Sequence, residues 1–239
     1  MDLINKNIMS KKEIKHKVNN NKHNLRDIIL GGQDGLVNVL GVVLAVAIAT
    51  KDLKIILIAG LAATFAESLS MAAVAYTSFK AAKQYYLSKV EEEKENIKRD
   101  PKEEIQEIKE IYSKKGFSGN LLNQITKKIT SNKKLWVSTM ISEELGLSPE
   151  EYSSPTKSAF VVGFSALIGS LIPLLPFLLN LPYRITFALI FSIITLFVTG
   201  AIKAKVTIGN WIKSGLEMTF IGILAALIGY LIGLGLSNI

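Results

Sequence analysis

Apolar and polar residues along this chain come in long blocks. Five stretches are apolar over the roughly 20 residues that one helix needs to cross a bilayer. Residues 28–49 carry one charge, Asp34, and residues 55–79 carry one charge, Glu67. Residues 158–183, 185–202 and 218–239 carry none. The stretch between the second and third blocks is charged, and its apolar positions recur at helical spacing. Ile105, Ile108 and Ile111 form one such set, and Leu121, Leu122, Ile125 and Ile129 another. The pattern predicts an all-α, polytopic membrane protein with five transmembrane helices and a cytosolic helical domain between the second and third. The expected boundaries are a disordered basic tail at 1–24, spans 1–2 at 25–79, the cytosolic domain at 80–154 and spans 3–5 at 155–239.

The punctuation of the polar block can be read from helix chemistry. The second span has no proline, so its helix can run on to Lys98, for a length of roughly 65 Å, about twice the hydrocarbon thickness. Asp100-Pro101 then restarts the chain as N-cap and first helical residue, with Glu103 and Glu104 in the first turn. Stops are expected at Gly116 and Gly146, with a helix starting at Ser118 and another covering about 134–145. No internal repeat is visible. An odd number of spans argues against an inverted-repeat design, so a pathway could form between two copies of the chain.

Composition narrows the chemistry. There is no cysteine, and the two histidines, His16 and His23, both lie in the polar amino-terminal segment. Thiolate and imidazole metal sites in the spans, disulfides, and Ser-His or Cys-His catalysis are thereby excluded, so an enzyme is not expected. The first 27 residues lack the apolar run of a signal peptide. Lys6, Lys11, Lys12, Lys15, Lys17, Lys22 and Arg26 precede the first span, and Lys203, Lys205 and Lys213 are expected in the turn between the fourth and fifth. The other side holds only Lys51, Lys54 and Arg184. The positive-inside rule then places the amino terminus in the cytosol and the carboxyl terminus across the membrane. The net charge of +8 follows from this bias, and no aromatic-interleaved basic patch points to nucleic acid.

An ionised group at the bilayer centre costs about 2.5–3.5 kcal/mol, so Asp34 and Glu67 are expected to face a cavity, an ion or a partner. Met71 lies one helical turn after Glu67. A thioether beside a carboxylate suits a borderline transition metal better than Mg²⁺ or Ca²⁺, although apolar contact would also account for it. In the polar block Glu93, the pair Glu104 and Glu107, and the pair Met140 and Glu144 could supply metal ligands. Their spacing alone fits a solvated acidic face equally well.

Taken together these stretches resemble the vacuolar iron transporter family. The resemblance rests on RDIILGGQDGLVNVLG, AESLSMAA, EIYSKKGFS, EELGL, IGSLIPLLPF and GAIKAKVTIGNWIKSGLEM, in order, over nearly everything after Leu25. It implies a homodimer that exports Fe²⁺ or Mn²⁺ from the cytosol in exchange for protons, with no permanently bound cofactor and a metal path on the two-fold axis. It assigns the membrane carboxylate to Asp34 and the thioether to Met71, with Glu67 added from its position in the span. It assigns cytosolic ligands to Glu93, Glu104, Glu107, Met140 and Glu144. Two family ligands are replaced, by Asn96 and Ile141. The expected partners are a second copy, metal ions and the bilayer, in a plasma, vacuolar or other endomembrane. A metal-binding scaffold or sensor without transport is the alternative.

Overall fold

A computed structural model describes the backbone of residues 2–148, 154–207 and 209–237, and side chains from residue 24 onward. Among these residues it contains only helices: α1 (Asp2–Ala49), α2 (Leu53–Arg99), α3 (Pro101–Lys114), α4 (Gly119–Thr130), α5 (Lys133–Glu143), α6 (Pro155–Leu178), α7 (Arg184–Val206) and α8 (Trp211–Leu236). Five are long and apolar enough to span a membrane: α1 from Asn24, α2, α6, α7 and α8. The chain divides into two compact units, one of residues 1–77 with 154–239 and one of residues 78–153.

In the first unit α1 is the central helix. Leu36, Val39, Leu40, Val43 and Leu44 are all buried. Val39 and Val43 meet Leu174 and Phe177 of α6, Leu36 meets Leu196 of α7 and Met218 of α8, and Leu40 and Leu44 meet Ala226 of α8. Helices in lipid gain no hydrophobic drive from meeting each other, so close backbone approach at small residues holds them together. The α1–α6 contact shows this directly. A Cβ added at Gly31 would lie 2.1 Å from the Val162 carbonyl oxygen, one at Gly35 would lie 2.3 Å from that of Ala166, and one at Gly169 would lie 2.0 Å from that of Gly32.

The polar unit has a core to which each of its helices contributes: Ile97 of α2, Ile108 of α3, Ile129 of α4, and Trp136, Val137, Met140 and Ile141 of α5. Its ends are set by local chemistry. The Asp100 carboxylate accepts from the Lys102 and Glu103 amides at 3.1 Å, and Pro101 opens α3. Gly116, at φ +92°, ends α3 in a Schellman motif, with its amide donating to Ser113 O and the Phe117 amide donating to Tyr112 O. The Tyr112 and Phe117 rings meet at 6.0 Å across it.

Several boundaries depart from the sequence expectation. The backbone of the segment read as a disordered tail continues α1 from Asp2, since no Gly or Pro precedes Gly31 to break the helix. Lys203, Lys205 and Lys213 lie on helices, because α7 runs on to Val206 and Asn210 caps α8 by accepting from the Ile212 and Lys213 amides. Leu121 is exposed while Thr126 is buried, which rotates the inner face of α4 toward Ile125, Thr126 and Ile129.

Gly35→Leu should separate α1 from α6. Overpacking of this kind typically costs about 1–3 kcal/mol. The expected result is a lowered Tm and loss of the monodisperse peak on size exclusion in detergent, whereas Gly235→Leu, which meets nothing within 4 Å, should be tolerated.

Candidate metal pathway and acidic cluster

The glycines that seat α1 on α6 also fix how α1 is turned about its axis. That rotation sets the direction of Asp34, which lies between Gly32 and Gly35. Glu67 of α2 meets it: the Glu67 carboxyl lies within hydrogen-bonding reach of the side chains of Asp34 and Asn38. Asp34 and Glu67 are both half-buried, and Met71, half-buried too, follows Glu67 by one turn. Asn38 was not singled out from the sequence. The available signal was its place one turn after Asp34 on an otherwise apolar face. The hydroxyls near Glu67 are partly committed to their own helix, since Thr64 Oγ1 donates to Gly60 O at 2.8 Å and Ser68 Oγ to Thr64 O at 2.6 Å.

In the polar unit Glu93 of α2 and Glu104 of α3 are buried, at 5% and 6% exposure, with their carboxyls in mutual hydrogen-bonding reach. Each keeps one buried oxygen, Glu93 Oε1 and Glu104 Oε2, without a partner among the described residues. Such orphaned acceptors fit a cation or a proton. Glu107 is half-buried on α3, and Glu144 is exposed at the end of α5. Both are near enough for their charges to act on Glu93. The three ion pairs among the described residues of this unit, Lys89–Glu92, Lys94–Glu91 and Lys115–Glu143, involve none of these four.

Among the described residues no three acidic or histidine side chains are placed to hold one metal ion, so the tight contact is the Glu93–Glu104 pair, with Glu107 and Glu144 farther out. Met140 is fully enclosed in the apolar core of the unit, and Ile141 is beside it. Asn96, where the resemblance expects an acid, instead accepts from Arg99 Nη2 at 3.0 Å.

Residue 93 lies well past the apolar stretch of α2, which ends at residue 79, and its carboxyl is buried within the polar unit. Burial chiefly pushes the Glu93 carboxyl up to about 8, with the Glu104 carboxyl next and the charges of Glu144 and Glu107 adding. Burial also raises Glu104, helped by Glu144 and Glu103, and raises Glu107, helped by Glu144 and Glu104.

Comparison with known proteins places the chain. Residues 25–234 match the model of the VIT family, and the chain belongs to that family. It is similar to vacuolar iron transporter 1 of Arabidopsis thaliana, at 28% identity over 84% of this chain and 82% of that protein. It is also similar to the vacuolar iron transporters of Plasmodium falciparum, at 29% over 94% and 87%, and of Plasmodium berghei, at 30% over 91% and 84%. These relatives are named as transporters, not as enzymes.

The raised carboxyls give a pH dependence of definite sign. Protonation is favoured in the folded state, so this contribution to stability is full below about pH 4.5 and is lost as pH rises through the folded value near 8. Trp136, buried in the polar unit, reports locally once Trp211 is replaced by Phe. Its thermal transition should fall between pH 6 and pH 9, Glu93→Gln should remove most of that fall, and Mn²⁺ should reverse it at pH 8 in the parent only. A transition indifferent to both pH and Mn²⁺ would show a solvated acidic face.

Proposed function

We propose that this protein carries Fe²⁺ or Mn²⁺ out of the cytosol in exchange for protons, acting as a homodimer in a vacuolar or other endomembrane. The observation that carries the proposal is the meeting of Asp34 and Glu67, from two different membrane helices, at one level with Asn38. Two carboxylates that close in low dielectric require either a shared proton or a cation between them. A divalent ion displaces the proton, and a returning proton displaces the ion, which is the elementary step of an exchanger. Asn38 can hold the geometry in both states, because its amide neither gains nor loses charge. Met71, a turn beyond Glu67, adds a polarisable sulfur that favours Fe²⁺ over harder ions such as Mg²⁺ and Ca²⁺.

The polar unit acts as the collector on the cytosolic side. Glu93 and Glu104 offer buried, partnerless oxygens, and Glu107 and Glu144 close on an ion that neutralises them. Asn96 and Ile141 leave this collector with fewer ligands than the family pattern, so it is expected to bind fewer ions, more weakly. Met140 contributes to the core of the unit, and it serves as a ligand only if α5 shifts. The bias of Lys and Arg toward the amino-terminal side supports a cytosolic amino terminus and a carboxyl terminus across the membrane. The second copy is supported by α2: the helix that carries Glu67 has 17% of its apolar window buried, against 50% for α6. Phe65 and Leu69 are 64% and 73% exposed on either side of Glu67. A second copy packed there would cover that apolar face, which lies across the helix from Glu67.

Metal uptake by sealed proteoliposomes with an imposed pH gradient tests the reading. Asp34→Asn should abolish Fe²⁺ and Mn²⁺ uptake while leaving the size-exclusion profile unchanged. Uptake near the parent level would remove Asp34 from the pathway, and binding without uptake in the parent would favour a scaffold or sensor.

Met71→Leu preserves volume and removes only the sulfur, a change that usually costs under about 1.5 kcal/mol of stability. Its uptake of Fe²⁺ should be weakened severalfold at limiting metal with Tm nearly unchanged, and unchanged uptake would make Met71 an apolar contact.

A further inference from the structure

The first turns of the α1 span and the last turns of α7 part around a cavity of about 600 Å³. Leu25, Ile29, Leu30 and Val206 give it apolar walls, and Arg26 and Lys203 stand in its lining. Gln33 closes the end that lies deeper in the span. The cavity sits at the boundary between lipid and water. The apolar run of α1 begins at residue 28, and the last turn of α7 carries Lys203 and Lys205. Arg26 and Lys203 are both exposed, and neither forms an ion pair with a described residue. A second crevice of about 180 Å³ shares Gln33 and continues between α1, α6 and α7. Ile28, Leu36, Ile168, Ile172 and Leu196 make it mainly apolar. On α7 it reaches Thr199, one turn before Lys203.

Polarity is therefore graded along one groove. Two unpaired cations lie at the interface, an amide lies midway, and an aliphatic crevice extends toward the bilayer interior. We propose that this groove is a binding site for one anionic phospholipid, with its phosphate between Arg26 and Lys203 and an acyl chain along the Gln33–Ile172 crevice.

Charge complementarity selects among occupants. A basic pocket between membrane helices at the interface suits an anionic headgroup, whereas a zwitterionic lipid would bring its own cation against Arg26 and Lys203. Inorganic phosphate would satisfy the cations and leave the aliphatic walls wet. The volume of the cavity falls in the range of about 300–1,000 Å³ typical of small-molecule sites, enough for a headgroup and glycerol but not a whole lipid, which is why the adjoining crevice is needed. The site is separate from the carboxylates, and its occupancy would tie α1 to α7 next to Asp34, which follows Gln33.

The test is lipid retention by the full chain in detergent, read by native mass spectrometry and by Tm, with phosphatidylglycerol, phosphatidylcholine and inorganic phosphate added in turn. Phosphatidylglycerol alone should remain bound and raise Tm. Arg26→Gln/Lys203→Gln should weaken its retention roughly 30-fold, at about one order of magnitude or less per basic residue. Lys51→Gln/Lys54→Gln, at the opposite ends of the helices, should leave retention unchanged. If the double variant does not elute as folded protein, the single variants Arg26→Gln and Lys203→Gln are each expected to weaken retention about fivefold. Equal effects of phosphatidylcholine, a Tm shift reproduced by inorganic phosphate alone, equal loss in the Lys51/Lys54 variant, or unchanged retention in the Arg26 and Lys203 variants would each overturn the proposal.

Discussion

Helix α1 touches α6 backbone to backbone because Gly31, Gly35 and Gly169 leave no side chain between them. The membrane unit depends on this contact. It places α1 at the centre of the bundle, where its apolar residues meet α6, α7 and α8. It also removes the freedom of α1 to rotate, which a helix sliding on larger side chains would retain. Asp34 consequently points where Glu67 of α2 can reach it. A helix that could turn by even one residue, about 100°, would carry that carboxylate to another neighbour.

The same electrostatic situation occurs twice, once in each unit. Asp34 and Glu67 meet inside apolar spans, and Glu93 and Glu104 meet buried within the polar unit. In both places the fold brings two carboxyl groups from different helices within reach of each other. In the polar unit the result is visible as raised carboxyls and orphaned oxygens. Among the described residues neither pair is joined by a third acidic or histidine side chain placed to hold one metal ion.

Much of the architecture was legible in the residues because it rests on local rules. The lone carboxylates mark their spans, the lack of proline lets α2 run as one helix from Leu53 to Arg99, and Asp100-Pro101 and Gly116 punctuate the chain at the expected places. What escaped depends on contacts between elements. Asn38 looked like an ordinary polar residue until α2 brought Glu67 beside it. Met140 offered a soft ligand by spacing, but the rotation of α5 turns it into the apolar core with Trp136 and Ile141. Leu121 fits the helical period of its neighbours and is nonetheless exposed, because the hydroxyl of Thr126 is satisfied by Leu122 O and the helix can bury that side instead. Asn96 accepts from Arg99 one turn along α2, a local bond that its sequence spacing allows.

The central claim is that metal and proton compete for the paired carboxylates of the membrane unit. It is tested most directly by recording luminal metal and luminal pH together in sealed proteoliposomes. The account predicts that each pulse of Fe²⁺ or Mn²⁺ entering the lumen raises luminal pH as protons leave. Both signals should share one time course and one dependence on external metal. Metal entry with no accompanying pH change, in vesicles shown to hold a proton gradient, would contradict it.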